Sequence, residues 1–357
     1  MKMKNITKVI FKFCYLIFFL LLMVPGLSGC NESSRGVSFG FRDSKALVSQ
    51  ARQIILEGLA DESPQIRTIS IEVVGDTLQG DLMPNVQKLL LDDYVPVRFA
   101  AAIAVGETKY RPAKKTVTKL LRVPDDNTKI GMAYALYKLG DRSKLEIIRL
   151  ASMSKEQSVR ANAAALLGKS GDKDQLKLLY KIMRSKSSAD KVRYQAAESI
   201  AMLGDEEIFR KLWSILISVY ADDRVLAIRG MGALGSQQAR DVLITKLDDD
   251  VPEVRLAAAE QLGSLGKTIG EAEVLDVFRK NLTSGMSSED SARIRVRAAL
   301  AIGQIGTAKL RSYLPNLLSD ESKLVRIAAS KAVLEINGAH LRPPESSKVP
   351  GLPKVAW

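Results

Sequence analysis

Four groups of acids stand where chemistry could be done: Asp92-Asp93, Asp125-Asp126, Asp222-Asp223 and Asp248-Asp249-Asp250. Paired carboxylates of this kind ligate calcium or act as an acid/base couple. Each group, however, precedes an aliphatic residue that opens a helical pattern. Recurrence at helix starts is what capping demands, because the helix dipole favours carboxylates there. A second series, Arg67, Arg98, Lys129, Arg160, Arg193, Arg255, Arg295 and Arg326, has the look of an anion-binding ladder. Each lies one residue past an apolar anchor, about 100° round the helix, so its side chain must run along packed neighbours toward the aspartates. That geometry assigns the ladder to structure. With two cysteines and one histidine, zinc ribbons, Cys/His nucleophile pairs and multi-histidine iron sites lack their side chains. No catalytic residue, metal or cofactor is expected.

The remaining candidates are surfaces. From Lys109 to Arg122 the chain carries Lys109, Arg111, Lys114, Lys115, Lys119 and Arg122 with no acid among them, and a second run holds Lys173, Lys177, Lys181, Arg184 and Lys186. Lys115 and Lys119, like Lys177 and Lys181, are four apart, so each segment presents a basic stripe on a helix. Such a stripe is either a solvated outer face or a contact for anionic lipid or cell-wall polymer, through Lys114, Lys115, Lys119, Arg122, Lys173, Lys177, Lys181 and Arg184. Nucleic-acid phosphate suits the charge, but is the poorest of these partners for a chain that begins as this one does.

The elements that position these residues repeat. Hydrophobic residues make up 46% of the 357, charged residues 26% and aromatics only 6%, and the apolar residues cluster without the alternation of strands. An aliphatic-basic dipeptide recurs at Ile66-Arg67, Val97-Arg98, Thr128-Lys129, Val159-Arg160, Val192-Arg193, Val254-Arg255, Ile294-Arg295 and Val325-Arg326, mostly in steps of 31. A degenerate copy at Val225-Leu226, lacking the basic residue, makes nine units. Counted from the anchor as zero, alanine favours +4 or +5 and +8 is aliphatic or alanine. These positions share one face of a helix. Acids such as Asp61, Asp92, Asp125, Asp222, Asp249, Asp290 and Asp320 are the expected N-caps, and glycines at +9 or +12 end the helix or turn the chain into a second amphipathic segment. Self-similarity of this length means a solenoid of helical hairpins. Thr283 to Asp290 stretches one step to 40, and it and the glycine-rich sixth unit mark either a hinge or drift in a tolerant repeat.

The pattern Asp, Val-Arg, Ala-Ala, Leu-Gly resembles the short HEAT-like repeat of phycobilisome lyases, over about Asp43 to Asn337. The resemblance implies an all-α solenoid, a superhelix of about nine short HEAT-like hairpins whose +2 and +6 positions line the concave side. Most units are polar or small there, but units two and three place Phe99, Ile103, Ile130 and Tyr134, an apolar patch suited to a partner's helix or peptide. A cover by the tether or a neighbouring helix is the other reading of the same four residues. The related deoxyhypusine hydroxylases hold iron with repeated His-Glu pairs, and this sequence contains no His-Glu dipeptide.

Location is read from the first thirty residues. Lys2, Lys4, Lys8 and Lys12 precede a wholly apolar stretch from Phe13 to Val24, followed by Leu27-Ser28-Gly29-Cys30. Twelve residues span about 18 Å as a helix, short of the hydrocarbon core of a bilayer, so a signal peptide is preferred to a membrane span. The tetrapeptide resembles the bacterial lipoprotein cleavage site, which implies lipidation of Cys30 and, with Asn31 behind it, the outer membrane of a Gram-negative cell. A phycobilin lyase would not meet its substrate there. The expected organisation is a signal peptide at 1–29, a lipidated tether at 30–42, the solenoid at 43–337 and a proline-rich, disordered tail at 338–357 containing the single His340. Formal charge is +13 for the whole chain and about +9 without the signal. The expected function is a membrane-anchored, non-enzymatic scaffold in the cell envelope that binds a protein or peptide. The alternative is a binder of anionic lipid or envelope polymer.

Overall fold

The computed structural model describes residues 41–338. The expected signal peptide 1–29, Cys30, all of the tether 30–42 but Phe41 and Arg42, and all of the expected tail 338–357 but Gly338 lie outside the described residues. Nine hairpins follow one another in order. They are α1 (Phe41–Leu59) with α2 (Pro64–Asp76), α3 (Met83–Lys88) with α4 (Val95–Glu107), and α5 (Lys114–Leu120) with α6 (Asp126–Lys138). Next come α7 (Leu145–Ala151) with α8 (Gln157–Lys169), α9 (Leu176–Arg184) with α10 (Asp190–Met202), and α11 (Phe209–Leu216) with α12 (Ala221–Leu234). The last are α13 (Gln237–Thr245) with α14 (Pro252–Ser264), α15 (Glu271–Arg279) with α16 (Ser288–Ile305), and the broken pair α17 (Ala308–Arg311) and α18 (Leu314–Leu318) with α19 (Lys323–Gly338). The second helix of each hairpin is the inner one. Among the described residues, no helix is long and apolar enough to cross a membrane.

The inner helices follow the repeat's arithmetic. The anchors Ile66, Val97, Val159, Val192, Val254, Ile294 and Val325 are buried, as are Val74, Val105, Leu136, Leu167, Ile200, Leu262, Ile302 and Val333 eight residues on. The two glycine positions do different work. A Cβ at Gly303 would meet the Ala332 Cα at 2.9 Å, and one at Gly168 would meet the Ser199 Cα at 2.8 Å. The +9 glycine therefore lets the next inner helix approach instead of ending its own. The +12 glycine takes the left-handed conformation that ends the helix, as at Gly171 (φ 73°) and Gly266 (φ 73°).

The arginine ladder forms in part, and its rungs show the inner helices to be parallel: Arg67, Arg98 and Arg295 reach an aspartate of the next unit, whereas Lys129 and Arg193 meet acids of their own unit, Arg160 meets Ser187 and Arg255 meets Glu273. Arg67 holds Asp92 of the next unit with Nε–Oδ2 2.8 Å and Nη2–Oδ1 2.9 Å, while its other amine donates to the carbonyls of Asp61 and Glu62. Arg295 holds Asp320 in the same way at 2.8 Å. N-terminus thus meets N-terminus at one rim, as +9 glycine meets next helix toward the other.

Two expectations need correction. The sixth unit has not lost its basic residue: Arg224 donates to the carbonyls of Ser218 and Val219 and to Asp249 at 2.8 Å, the same pattern as Arg67. The true anchor is Asp223, 31 residues from both Val192 and Val254, which puts Gly232 at +9 and Gly235 at +12. The long eighth step, left open between a hinge and drift, adds residues both to the connection between α15 and α16 and to the start of α16, where Ser287 accepts from the Asp290 amide at 3.0 Å. The acids, too, are not mostly caps. Asp125 caps α6, but Asp61, Asp92, Asp249 and Asp320 accept from amides two residues on, bracing the turn before the helix, and Asp222 caps nothing.

Curvature closes the structure on itself. α19 packs against α1 and touches α2, so the last hairpin meets the first. Ser44 donates to Asn337 at 2.5 Å, Lys331 to Asp76 at 2.5 Å and Lys323 to Asp61 at 2.6 Å, with the Ile327 side chain over Gly58 between them. Residues 41–338 are a ring of nine hairpins.

Two outcomes follow. Burial acts to raise the Asp92 carboxyl, but the Arg67 guanidinium and the Tyr94 amide outweigh it and hold it below the usual range. A depressed carboxyl gives stability that is full above its unfolded value and lost as pH falls through the folded one. Asp92→Asn should cost about 2 kcal/mol at neutral pH, with the deficit against the parent chain shrinking in acid below 3.8, as measured by urea unfolding at both pH values. At the seam, Lys323→Glu with Lys331→Glu should lower stability by about 1–2 kcal/mol at low salt, and by less in molar salt, with a larger radius in small-angle scattering. An unchanged radius and melting point at low salt would mean that these pairs contribute nothing to closure.

Candidate functional site

Closure turns the concave face of the solenoid into a lumen. Two cavities occupy it, of about 990 Å³ and about 560 Å³, and both are bounded by Glu72 and Asp76 of α2. The larger lies among α2, α12, α14, α16 and α19, with Ile69, Val296, Leu300 and Leu324 on its wall. The smaller lies among α2, α4, α6 and α8, with Val95, Pro96, Phe99 and Ile103. The second runs the length of the inner helices, from Val95 and Ser158 at their starts to Glu107 and Lys169 at their ends. It opens where α6 and α8 touch sparingly, bridged by Asn162 donating to Asn127 at 2.9 Å.

The +6 positions decide the character of the lumen. Starting at the fifth unit they read Glu198, Arg229, Glu260, Leu300, Lys331 and, across the seam, Glu72, then Ile103, Tyr134 and Ala165. One part is a belt of alternating charge and the other is apolar. Arg229 holds Glu198 at 2.6 Å, Arg297 approaches Glu260 at 3.9 Å and Lys331 holds Asp76 at 2.5 Å. Burial pushes the Glu260 carboxyl up, with Arg297 opposing it, and burial likewise raises Glu72, helped by Asp76. Glu72 is open to the water of the lumen yet walled by protein, which is why its environment is less polar than its exposure suggests. Burial works against the Arg229 charge, but hydrogen bonds with Glu198 reverse this and hold its pKa above the ordinary value.

The four residues of the expected apolar patch separate. Phe99 and Ile103 line the smaller cavity, but Ile130 and Tyr134 are 0% exposed and cannot present themselves to a partner. The reason is the closeness of α4 and α6. Phe99 lies over Gly131, where a Cβ would sit 3.0 Å from its ring, and the Tyr134 ring lies against Gly106. The Tyr134 hydroxyl donates to Glu107 and reaches the Lys169 carbonyl at 3.3 Å, with Lys138 5.8 Å from the ring centre. Burial, followed by the Glu107 charge, pushes this phenol far above its usual range. Tyr134 is a wedge between α4, α6 and α8. Gly106 and Gly131 were the sequence signals that rings would be covered there.

The basic stripes lie on the outer wall. Lys114, Lys115, Lys119 and Arg122 on and after α5, and Lys173, Lys177, Lys181 and Arg184 before and along α9, are all exposed, with α7 between the two sets. Only Arg184 has an aromatic partner, Tyr180, 4.9 Å away. The Tyr180 phenol is itself pushed up to about 12 by burial and by Asp205, to which it donates at 3.2 Å. The belt of Glu198, Arg229, Glu260 and Lys331 was missed in the sequence. Its signal was a charge at +6 whose sign alternates from unit to unit, hidden at the sixth unit by the shifted register.

A family model for HEAT repeats matches residues 145–224 and 214–285. No curated protein matches the sequence. Human deoxyhypusine hydroxylase in complex with glycerol is similar in structure, with 16% identity and a TM-score of 0.36 over 74% of this chain and 99% of that one. So is the complex of CpcE and CpcF of phycocyanin lyase from Nostoc sp. PCC7120, with 15% identity and a TM-score of 0.42 over 79% and 99%. Kap121p bound to Nup53p gives 16% and 0.32 over 87% of this chain and 40% of that one. The described residues are an all-α solenoid, and a family model for HEAT repeats matches its central hairpins.

Proposed function

We propose that this chain is a non-enzymatic, lipid-anchored scaffold of the cell envelope that captures a polypeptide segment in its lumen. The observation that carries this reading is the two-sided lumen, apolar at Phe99 and Ile103 and charged at Glu72, Asp76, Glu253, Arg293, Arg297 and Lys331. An extended peptide has the same two-sidedness, and a cavity running the length of a 13-residue inner helix, about 20 Å, suits it better than a compact molecule. The assignment to binding over catalysis rests on the repeated arginines and aspartates, which are spent on joining one hairpin to the next. The anchor rests on Leu27 to Cys30.

A second reading, an outer wall that binds anionic lipid or polymer, is favoured by the exposed cations of α5 and α9, for which no acid partner is found among the described residues.

Two measurements separate them. A photoreactive residue at Ile103 should form an adduct with another polypeptide of a detergent-solubilised envelope. Phe99→Asp in that chain should cut the yield about tenfold, equivalent to ~1.4 kcal/mol, with the helical circular dichroism kept. The same probe at Lys177 should give none, and adducts only from Lys177 would sink the lumen reading. For the outer wall, vesicles containing an anionic lipid should bind the chain at low salt and release it at high salt, with Lys177→Glu and Lys181→Glu weakening the binding. Binding indifferent to salt and to both substitutions would remove the second reading.

A further inference from the structure

The rim at which the inner helices start is not the same all the way round. Six and five residues before the ladder residue of each unit stand Asp61-Glu62, Asp92-Asp93, Asp249-Asp250, Glu289-Asp290 and Asp320-Glu321 in the first, second, seventh, eighth and ninth units. The same two positions hold Val123-Pro124, Ser154-Lys155, Ser187-Ser188 and Ser218-Val219 in the third to sixth. Because the last hairpin packs on the first, five adjacent units carry an acid pair at this rim and the other four carry none.

Bases and apolar groups take the place of the acids. On this arc Arg122, Lys155, Arg184 and Lys186 are exposed, with no acid partner among the described residues. Leu150 and Met153 of the fourth unit are exposed as well, and after α11 come Ile217 at 67%, Val219 at 84% and Tyr220 at 70% exposure. The stripe continues on the outer wall, because Arg210, Trp213 and Ile217, spaced by three and four, share the exposed face of α11. Most of the acids left on the arc are engaged or turned inward. Asp125 caps α6, Asp126 and Asp190 meet Lys129 and Arg193 of their own units, Asp223 accepts from the Ser218 hydroxyl at 2.8 Å, and Asp222 lines the larger cavity. Among the described residues, that leaves Glu156 against the four bases.

The apolar tip is braced. Arg224 donates to the carbonyls of Ser218 and Val219, and its amide to that of Tyr220 at 3.2 Å. The Ser218 amide donates to the Ile215 carbonyl at 3.0 Å and the Tyr220 amide to the Ser218 hydroxyl at 3.2 Å. These backbone groups are satisfied inside the chain, so entry into an apolar medium does not strand them. The ladder supplies that bracing in other units too; what departs is the side chain, a valine where Glu62, Asp93, Asp250, Asp290 and Glu321 stand elsewhere. Tryptophan, tyrosine and aliphatic groups beside lysine and arginine make up a surface that lies in the interface of an anionic bilayer. The bases are spread over three units, which suits a plane of many phosphates.

We propose that the rim of the third to sixth units rests on an anionic lipid bilayer, with Ile217, Val219 and Tyr220 entering the interface and Arg122, Lys155, Arg184 and Lys186 on the lipid phosphates. This rests on the reading of the outer wall as a binder of anionic surfaces, and it commits that reading to lipid and to one edge of the ring. The acid pairs of the other five units then lie on the edge away from the bilayer, where its negative charge does not repel them.

The test uses the full chain with Trp357→Phe, which leaves Trp213 as the sole indole. On vesicles of phosphatidylcholine with phosphatidylglycerol at low salt, its emission should move to the blue and be quenched by phosphatidylcholine brominated on the acyl chains. Ile217→Asp with Val219→Asp, both on the exposed tip, should abolish that quenching with the helical circular dichroism kept, and Lys155→Glu with Lys186→Glu should reduce it several-fold. Quenching indifferent to both pairs of substitutions overturns the proposal. So does a blue shift that grows with protein concentration in the absence of lipid, the mark of a second copy on the same face. Salt-dependent binding to the anionic vesicles with Trp213 unquenched removes the insertion and leaves the outer-wall reading, whereas binding indifferent to salt with Trp213 unquenched removes both.

Discussion

Everything in this structure depends on the packing of the last hairpin against the first. An open solenoid offers a concave surface to any partner large enough to lie along it, and the edges of its end units are exposed. Here α19 fills the place beside α1 and α2, and the seam is made of the same materials as the other intervals, apolar contact at Ile327 and Gly58 flanked by Lys323–Asp61 and Lys331–Asp76. What would have been a groove becomes an enclosed lumen. Closure also explains why a carboxylate open to water, such as Glu72, is raised: the enclosing walls desolvate it and Asp76 adds to the rise, while Lys331 of α19, Lys169 of α8 and Arg229 of α12 oppose it.

The hairpins themselves were legible because their code is local. An apolar anchor, small residues at +4 and +5 and two glycines place a helix, its close neighbour and its end without reference to the rest of the chain. Even the error at the sixth unit was one of register. The search for an aliphatic anchor passed over Asp223 to Val225, although Gly232 and Gly235 already stood at the correct distances. Closure was not legible. It is the sum of nine small rotations, and no single residue pair encodes it until Ser44 meets Asn337.

The site shows the same division. Phe99 and Ile103 stood out because they broke the polar habit of their positions, and they do face the lumen. Ile130 and Tyr134 broke it too and are buried, because glycines on adjacent helices drew α4 and α6 together over them. A departure from a repeat therefore marks either a surface for a partner or a local tightening of the stack. The sequence distinguishes the two only when the facing positions are read as well. Gly106 and Gly131 were available for that reading, and they face the rings that vanish.

The alternating belt has a physical logic of its own. Two like charges at adjacent +6 positions would repel strongly, because the protein wall screens them less than open water does. Alternation removes that penalty, and it lets each acid brace the base of the next unit, as Glu198 does for Arg229. The belt breaks at Leu300, where Arg297, about one turn earlier on α16, supplies the missing cation to Glu260 at 3.9 Å. Beyond the seam it stops at Glu72, after which the lining turns apolar at Ile103. A belt needed only to hold the ring together would have carried its alternation into the second, third and fourth units. It ends instead at Glu72, faced by Lys331, Lys169 and Arg229 and beside the apolar wall of Phe99 and Ile103, so the change of character falls at the seam between the two cavities.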